Sequence, residues 1–191
     1  MTKDIKYIGD KMKLKTIKLI AILNIFIISF PAHFLYKFFP NTITSILFPV
    51  NESIFEHLKI IFTSILLYGI IDYLILKLNN IKYHNYLFSL FFTSFISIPI
   101  FLILYLPIHF ILGEYLIITL LLLFITYLIS QIISYYILTN KQNTYLNIIS
   151  IPLIIIIYSI FAYLTYKPPI NYFFYDTTTN SYGIHKEHVS N

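Results

Sequence analysis

The chain has 191 residues, 58% hydrophobic and 11% charged, with a formal net charge of +5 and a mean hydropathy of +0.79. A soluble domain carries roughly 25% charged residues. The composition therefore excludes an ordinary soluble globular protein, a disordered chain, a coiled coil and a nucleic-acid-binding domain, and leaves an all-α, polytopic transmembrane helix bundle.

The chain opens on a Lys-rich segment, 1–16, with Lys3, Lys6, Lys11, Lys13 and Lys15. After Lys18, the apolar run 19–30 ends in Pro31-Ala32-His33-Phe34. No small-x-small cleavage site is present, so the run reads as an uncleaved first span and not as a signal peptide. A span needs roughly 20 apolar residues at 1.5 Å rise each. Five segments qualify: 17–36, 54–76, 86–106, 115–138 and 145–166. Pro31 interrupts the first, Pro99 lies within the third and Pro152 near the start of the fifth. Connections are short. The longest, 37–51, is itself apolar, bracketed by Pro40 and Pro49, and reads as interfacial or re-entrant. The loop 107–114 carries His109 and Glu114, and 167–191 form a tail.

Lysine counting sets the orientation. With the amino terminus cytoplasmic, nine lysines lie inside (3, 6, 11, 13, 15, 18, 77, 82 and 141) and four outside (37, 59, 167 and 186). An odd number of spans then places the tail outside a multi-pass plasma-membrane protein. The lack of cysteine excludes disulfides, thiolate metal sites and thiol catalysis.

The unusual polar groups collect at the outer boundary: His33 near the end of the first span, 51–59 at the start of the second, His109 and Glu114 in the third loop, and Asp176 and His185 in the tail. In the second span Glu52, Glu56 and Lys59 stand at i, i+4 and i+7, which on a helix is one face. Ser53 and His57 start an adjacent face that continues through Ser64, Tyr68 and Asp72. Such a stripe faces a bundle interior or a wet cavity, because lipid exposure of these groups is costly. Helix capping alone accounts for part of it: Ser53-x-x-Glu56 is a capping-box pattern, and Asn51 is an equally good N-cap. Capping leaves His57 and Lys59 unexplained. Two His and nearby carboxylates make a zinc-type donor set, although no His-Glu-x-x-His occurs.

Hydroxyl residues recur at helical spacing in the third span (Ser89, Thr93, Ser97) and the fourth (Thr119, Thr126, Ser130, Ser134). They read as helix-packing surface in preference to a substrate path. The tail combines a rigid Pro168-Pro169 exit, aromatics up to Tyr175-Asp176, and Tyr182-Gly183 suited to a tight turn. It reads either as an interface anchor or as a flap that brings Asp176 over the outer mouth.

The segment Val50-Asn51-Glu52-Ser53-Ile54-Phe55-Glu56-His57-Leu58-Lys59 resembles the Val-Asn-Glu-Ser-x-Trp-Glu-His-x-Lys signature of a family of small bacterial integral membrane proteins of unknown function. The tail, from Pro168-Pro169 through Asp176 to Tyr182-Gly183-Ile184, is similar to that family's Pro-Pro…Asp-Pro…Tyr-Gly-Ile ending. Phe55 replaces the usual Trp, and Thr177 the usual Pro; neither change removes an ionisable group. The resemblance implies a membrane location and marks these residues without supplying an activity. Asn51-Glu52…His57 is also similar to a segment of the progestin-receptor-like and hemolysin-III membrane proteins, some of whose relatives are zinc-dependent lipid amidases. Here the spacing differs, five spans replace seven, and no His-x-x-x-His is present.

Three functional expectations follow. In the first, His33, His57 and Asp176 hold a divalent metal, zinc by donor type, or the site takes a lipid headgroup. Glu52 or Glu56 then serves as base and Lys59 stabilises anionic charge in a metal-assisted hydrolase, with Asn51, Ser53, His109, Pro168, Pro169, Tyr182 and Gly183 as supporting motif residues. In the second, the stripe to Asp72 lines a small proton-coupled carrier. In the third, the chain is a non-catalytic partner of another membrane protein. The bilayer is its surroundings in all three, no nucleic acid is a partner in any, and a homo-oligomer is left open.

Overall fold

The structure, a computed structural model, describes residues 13–184 and 186–187; Lys3, Lys6, Lys11 and His185 lie outside them. Among the described residues five helices are long and apolar enough to cross a membrane: α1 (Leu14–Phe38), α3 (Ile54–Leu78), α4 (Tyr86–Leu112), α5 (Leu116–Thr139) and α6 (Thr144–Tyr166). The shortest has 23 residues, about 35 Å at 1.5 Å per residue, against roughly 30 Å of hydrocarbon. The protein is the all-α polytopic bundle that its composition demands. Lipid offers backbone groups no partner, so apolar runs of this length close their hydrogen bonds within helices.

The same constraint corrects one expectation. His109 does not lie in a loop: α4 runs on through Pro107 to Leu112, a span tolerating the lost Pro N–H. The helix ends instead at Gly113, whose φ of +86° suits glycine and whose N–H donates to the His109 carbonyl at 2.9 Å. The apolar connection between α1 and α3 contains a six-residue helix, α2 (Thr42–Leu47). Asn41 starts it with a capping box: its side chain accepts from the Ile43 and Thr44 N–H groups, and the Thr44 hydroxyl accepts from the Asn41 N–H.

Helix α3 is the most buried span and packs between α1 and α4. Helix α5 closes against α1 and α4, and α6 packs on α4 and α2. The core at mid-bundle is mainly apolar: Ala21, Ile22 and Ile25 of α1 meet Leu58, Ile61 and Ile65 of α3, Phe101 of α4 and Leu122 of α5, with the rings of Tyr68 and Tyr127 among them. Small hydroxyl residues join α4 to α5. Ser89 and Ser134 hydroxyls lie 2.9 Å apart, and those of Ser97 and Ser130 2.5 Å apart. Compact side chains let two helices approach closely and hydrogen-bond without a long polar group in the core. Near the opposite end from the tail, Lys18 of α1 reaches Asp72 of α3 at 2.6 Å, both buried.

The tail folds back onto the bundle. A 3-10 turn (Tyr172–Phe174) sets Phe174 against Phe55 of α3, ring centroids 4.7 Å apart. Short strands β1 (Tyr175–Asp176), β2 (Ser181–Tyr182) and β3 (Lys186–Glu187) then form an antiparallel sheet, with Tyr175 opposite Tyr182 and Asp176 opposite Ser181. The departure from pure helix is confined to this end, where the chain has left the spans.

Candidate functional site

The site is built by the way α3 begins. Ser53 is the N-cap, extended in backbone, with its hydroxyl accepting from the Glu56 N–H at 3.4 Å. Asn51 is not the cap. Its Oδ1 accepts from the Ser53 N–H at 3.0 Å, shaping the turn, and its Nδ2 donates to the Gly183 carbonyl at 3.1 Å. The Glu56 carboxylate completes no capping box either: it accepts the Val50 N–H at 3.0 Å. Since the helix starts at Ile54, Glu52 precedes it, and Glu52, Glu56 and Lys59 do not share a helix face as their spacing suggests.

The two glutamates therefore part company. Glu56 and Lys59 turn inward and pair at 2.5 Å, their side chains 1% and 0% exposed. The Lys59 ammonium also donates to the Ser45 carbonyl of α2 at 2.8 Å and to the Thr165 hydroxyl of α6 at 2.9 Å. Thr165 in turn donates to Glu56 at 2.8 Å. The result is a closed lock holding α3, α2 and α6 together. A lone Thr near the end of an apolar span carries no sequence signal for this role.

Glu52 turns the other way. Its Oε2 lies 3.3 Å from His57 Nε2 and 3.5 Å from His33 Nε2. The two imidazole rings, from α1 and α3, have centroids 5.2 Å apart. Ligand nitrogens and oxygens near 2.05 Å from a tetrahedral ion stand about 3.3 Å from one another. Both Glu52–His distances match that edge, and the three donor atoms all lie within 4.8 Å of each other. His57 Nδ1 donates to the Ser53 carbonyl at 2.9 Å, because a carbonyl can only accept. That bond fixes the ring and turns Nε2 toward Glu52. A bare imidazole lone pair facing a carboxylate oxygen would be repelled, so a proton or a cation belongs between them. The hydrogen bond from His57, helped by the nearby imidazoles, holds the Glu52 carboxyl below the usual carboxylate range against the opposing effect of burial. Beside the cluster opens a cavity of about 490 Å³, lined by Glu52 and His57 and by Phe101, Tyr105, Glu114 and Thr177.

Asp176 is fully buried yet does not join this triad. Burial pushes its carboxyl up, but hydrogen bonds from the Thr179 hydroxyl and from the Thr178, Glu52 and Thr179 N–H groups override that and hold it below the ordinary value. The Thr179 hydroxyl bond is 2.6 Å and the Thr178 N–H bond 2.8 Å. These bonds close the Asp176–Thr179 turn of the tail and leave the carboxylate facing the Glu52 N–H. The sign for tail docking follows: a depressed pKa means the docked tail binds fewer protons than the released one. Docking by Asp176 is complete above its ordinary value of about 3.9 and lost as pH falls through the depressed one. Limited proteolysis should find the tail protected down to mildly acidic pH in the wild type. Asp176→Asn, acting as the protonated form does, should be cleaved at every pH.

His109 lies apart from the triad, between two tyrosines. Tyr105 OH lies 3.0 Å from its Nδ1 and Tyr172 OH 2.5 Å from its Nε2. It joins α4 to the tail beside the cavity. Gly183 sits against the end of α6 at a φ of +54°; a Cβ there would stand 2.2 Å from the Thr165 carbonyl and 3.0 Å from Pro168 Cγ. This close approach gives Pro168 and Gly183 their joint role, while the Tyr182 ring packs at a tilt of 49° on Tyr175 across the sheet, centroids 5.2 Å apart.

No match was found among curated proteins or among solved structures. The sequence profile of the Family of unknown function (DUF6512) matches residues 6–184, nearly the whole chain, and the protein belongs to that family.

Proposed function

We propose that this membrane protein binds a divalent metal ion, zinc by the chemistry of its donors, through His33, Glu52 and His57 on the extracytoplasmic side, and uses it to hydrolyse an amphiphilic substrate. The observation that carries the reading is the convergence of two imidazole nitrogens on one carboxylate oxygen at 3.3 and 3.5 Å, distances that fit ligands of a single ion. Two His and one Glu make the three-ligand, open type of centre found in hydrolases, where a closed structural site has four protein ligands. A metal so held supplies a water of lowered pKa and polarises the bond to be cleaved. The chain's own groups do the rest. Ser53 orients His57, the Asp176 carboxylate lies beside Glu52, and the apolar Phe101 and polar Tyr105, Glu114 and Thr177 of the cavity receive the two ends of an amphiphile. In this reading Glu56 and Lys59 secure the helices and take no part in the chemistry. The carrier reading has the buried hydroxyls of Ser64, Tyr68 and Tyr127 between His57 and Asp72 in its favour, but Ile25, Leu58, Ile61 and Leu122 pack among them and separate one from the next.

The test is elemental mass spectrometry on detergent-purified protein prepared without chelator. Near-stoichiometric zinc or another divalent metal is expected in the wild type, with loss in His57→Ala and in His33→Ala. Binding should weaken as the solution is acidified, because a protonated imidazole no longer offers a lone pair to a metal. Metal-free wild type, or metal retained in both variants, overturns the reading. Positive binding then justifies assays on lipid amides and esters.

A further inference from the structure

At the other end of the bundle, Lys15, Lys18 and Ile22 of α1 stand on one helix face, at i, i+3 and i+7. They face Gln131, Ile132 and Tyr135 of α5 across a groove of about 370 Å³. Three features of this groove point to a ligand. The first is charge. Helix α1 begins with Lys13 as N-cap, which offers no side-chain acceptor, and its first turn contains no acid. The positive end of a helix dipole disfavours a basic residue and favours an anion. Lys18 is neutralised by Asp72, but Lys15 lies exposed at the groove rim.

The second feature is an unmatched polar floor. Gln131 is only 4% exposed, lines the groove, and its amide finds no hydrogen-bond partner among the described residues. The amide is not one of the sealed polar atoms of the bundle; it is reached from a cavity, where a polar group seated in the groove can complete it. The third is direction. Lys15 lies nearest the helix end, and Ile22 about 10.5 Å deeper along the axis at 1.5 Å per residue. The flanks Leu19, Ile132 and Tyr136 are exposed apolar or amphipathic surface that faces the bilayer. Polar to apolar, the groove runs as a lipid molecule runs in the leaflet that holds the α1 amino terminus.

We propose that the α1–α5 groove is a binding site for one glycerophospholipid with an anionic headgroup. Its phosphate sits between Lys15 and the α1 amino terminus, a headgroup or ester oxygen meets the Gln131 amide, and an acyl chain lies on Leu19, Ile22 and Ile132. Basic recesses between helices recognise anionic headgroups in this way. The site is independent of the His33–Glu52–His57 centre, at the far end of α1.

Native mass spectrometry of the delipidated full chain tests the proposal, with added dioleoyl phosphatidylglycerol or dioleoyl phosphatidylcholine. The expected result is one retained phosphatidylglycerol per chain, held at least about tenfold more tightly than phosphatidylcholine, with the preference abolished in Lys15→Gln/Gln131→Leu. Lys15 is exposed and pairs with no other described residue, so Lys15→Gln alone, which leaves packing intact, should still lose most of it. Equal retention of the two lipids, or an unchanged preference in both variants, overturns the proposal. Displacement of the lipid by millimolar inorganic phosphate overturns it also, since the site would then be one for the free anion.

Discussion

Replacing Glu56 by Ala should destabilise the bundle by about 3–5 kcal/mol, the range for breaking a buried ion pair from one side. The Lys59 ammonium would remain fully buried, with only the Ser45 carbonyl and the Thr165 hydroxyl left to it. Lys59→Ala should cost about as much, because it strands the Glu56 carboxylate. The double replacement Glu56→Met/Lys59→Met removes both charges at similar volume and should recover most or all of the loss, since hydrophobic substitutes for buried pairs are often neutral or stabilising by about 1–4 kcal/mol. Thermal unfolding in detergent micelles measures all three. The same double variant separates structure from chemistry: it should keep the metal. A folded double variant that has lost its metal would show that the pair acts on the site, against the reading of Glu56 and Lys59 as a lock.

Gly183→Ala should release the tail. An L-residue at φ +54° costs roughly 1–2 kcal/mol by handedness alone, and the new Cβ would stand 2.2 Å from a backbone oxygen at the last turn of α6. That oxygen belongs to Thr165, whose side chain is part of the Glu56–Lys59 lock, so it cannot move away freely. The tail must lift instead, and with it Asp176. Limited proteolysis should then cut within 167–184, and metal affinity should fall about 10–100-fold, the usual cost of losing a group that holds a ligand in place. Gly183→Asn distinguishes the two causes. Asn accepts the left-handed conformation but carries the same Cβ. It should behave like Ala if the steric approach dominates, and like the wild type if the dihedral angle does.

Much of the fold was legible without coordinates because its cause is local. An apolar run of more than 20 residues has one solution in lipid, and five such runs make a five-span bundle. The Asn51–Lys59 segment was legible as a candidate site for a similar reason: ionisable groups at a span boundary are costly enough to need an explanation. Its internal arrangement was not. Glu52 and Glu56 look equivalent by spacing, and the choice of Ser53 over Asn51 as N-cap is what separates them, sending one to the imidazoles and the other to Lys59. His109 was misread because the span was ended at 106, whereas a proline is tolerated inside a span and α4 continues through Pro107 to Leu112.

By itself the sequence determined the environment, the number of spans and the residues whose burial had to be compensated, since each follows from transfer free energy along a local stretch. Only the tertiary structure decided which groups compensate which. Thr165 lies 106 residues from Lys59, Asp72 lies 54 from Lys18, and Gly183 lies 132 from Asn51. Partnerships over such separations depend on how whole helices pack and where the tail returns. No periodicity within one segment encodes them.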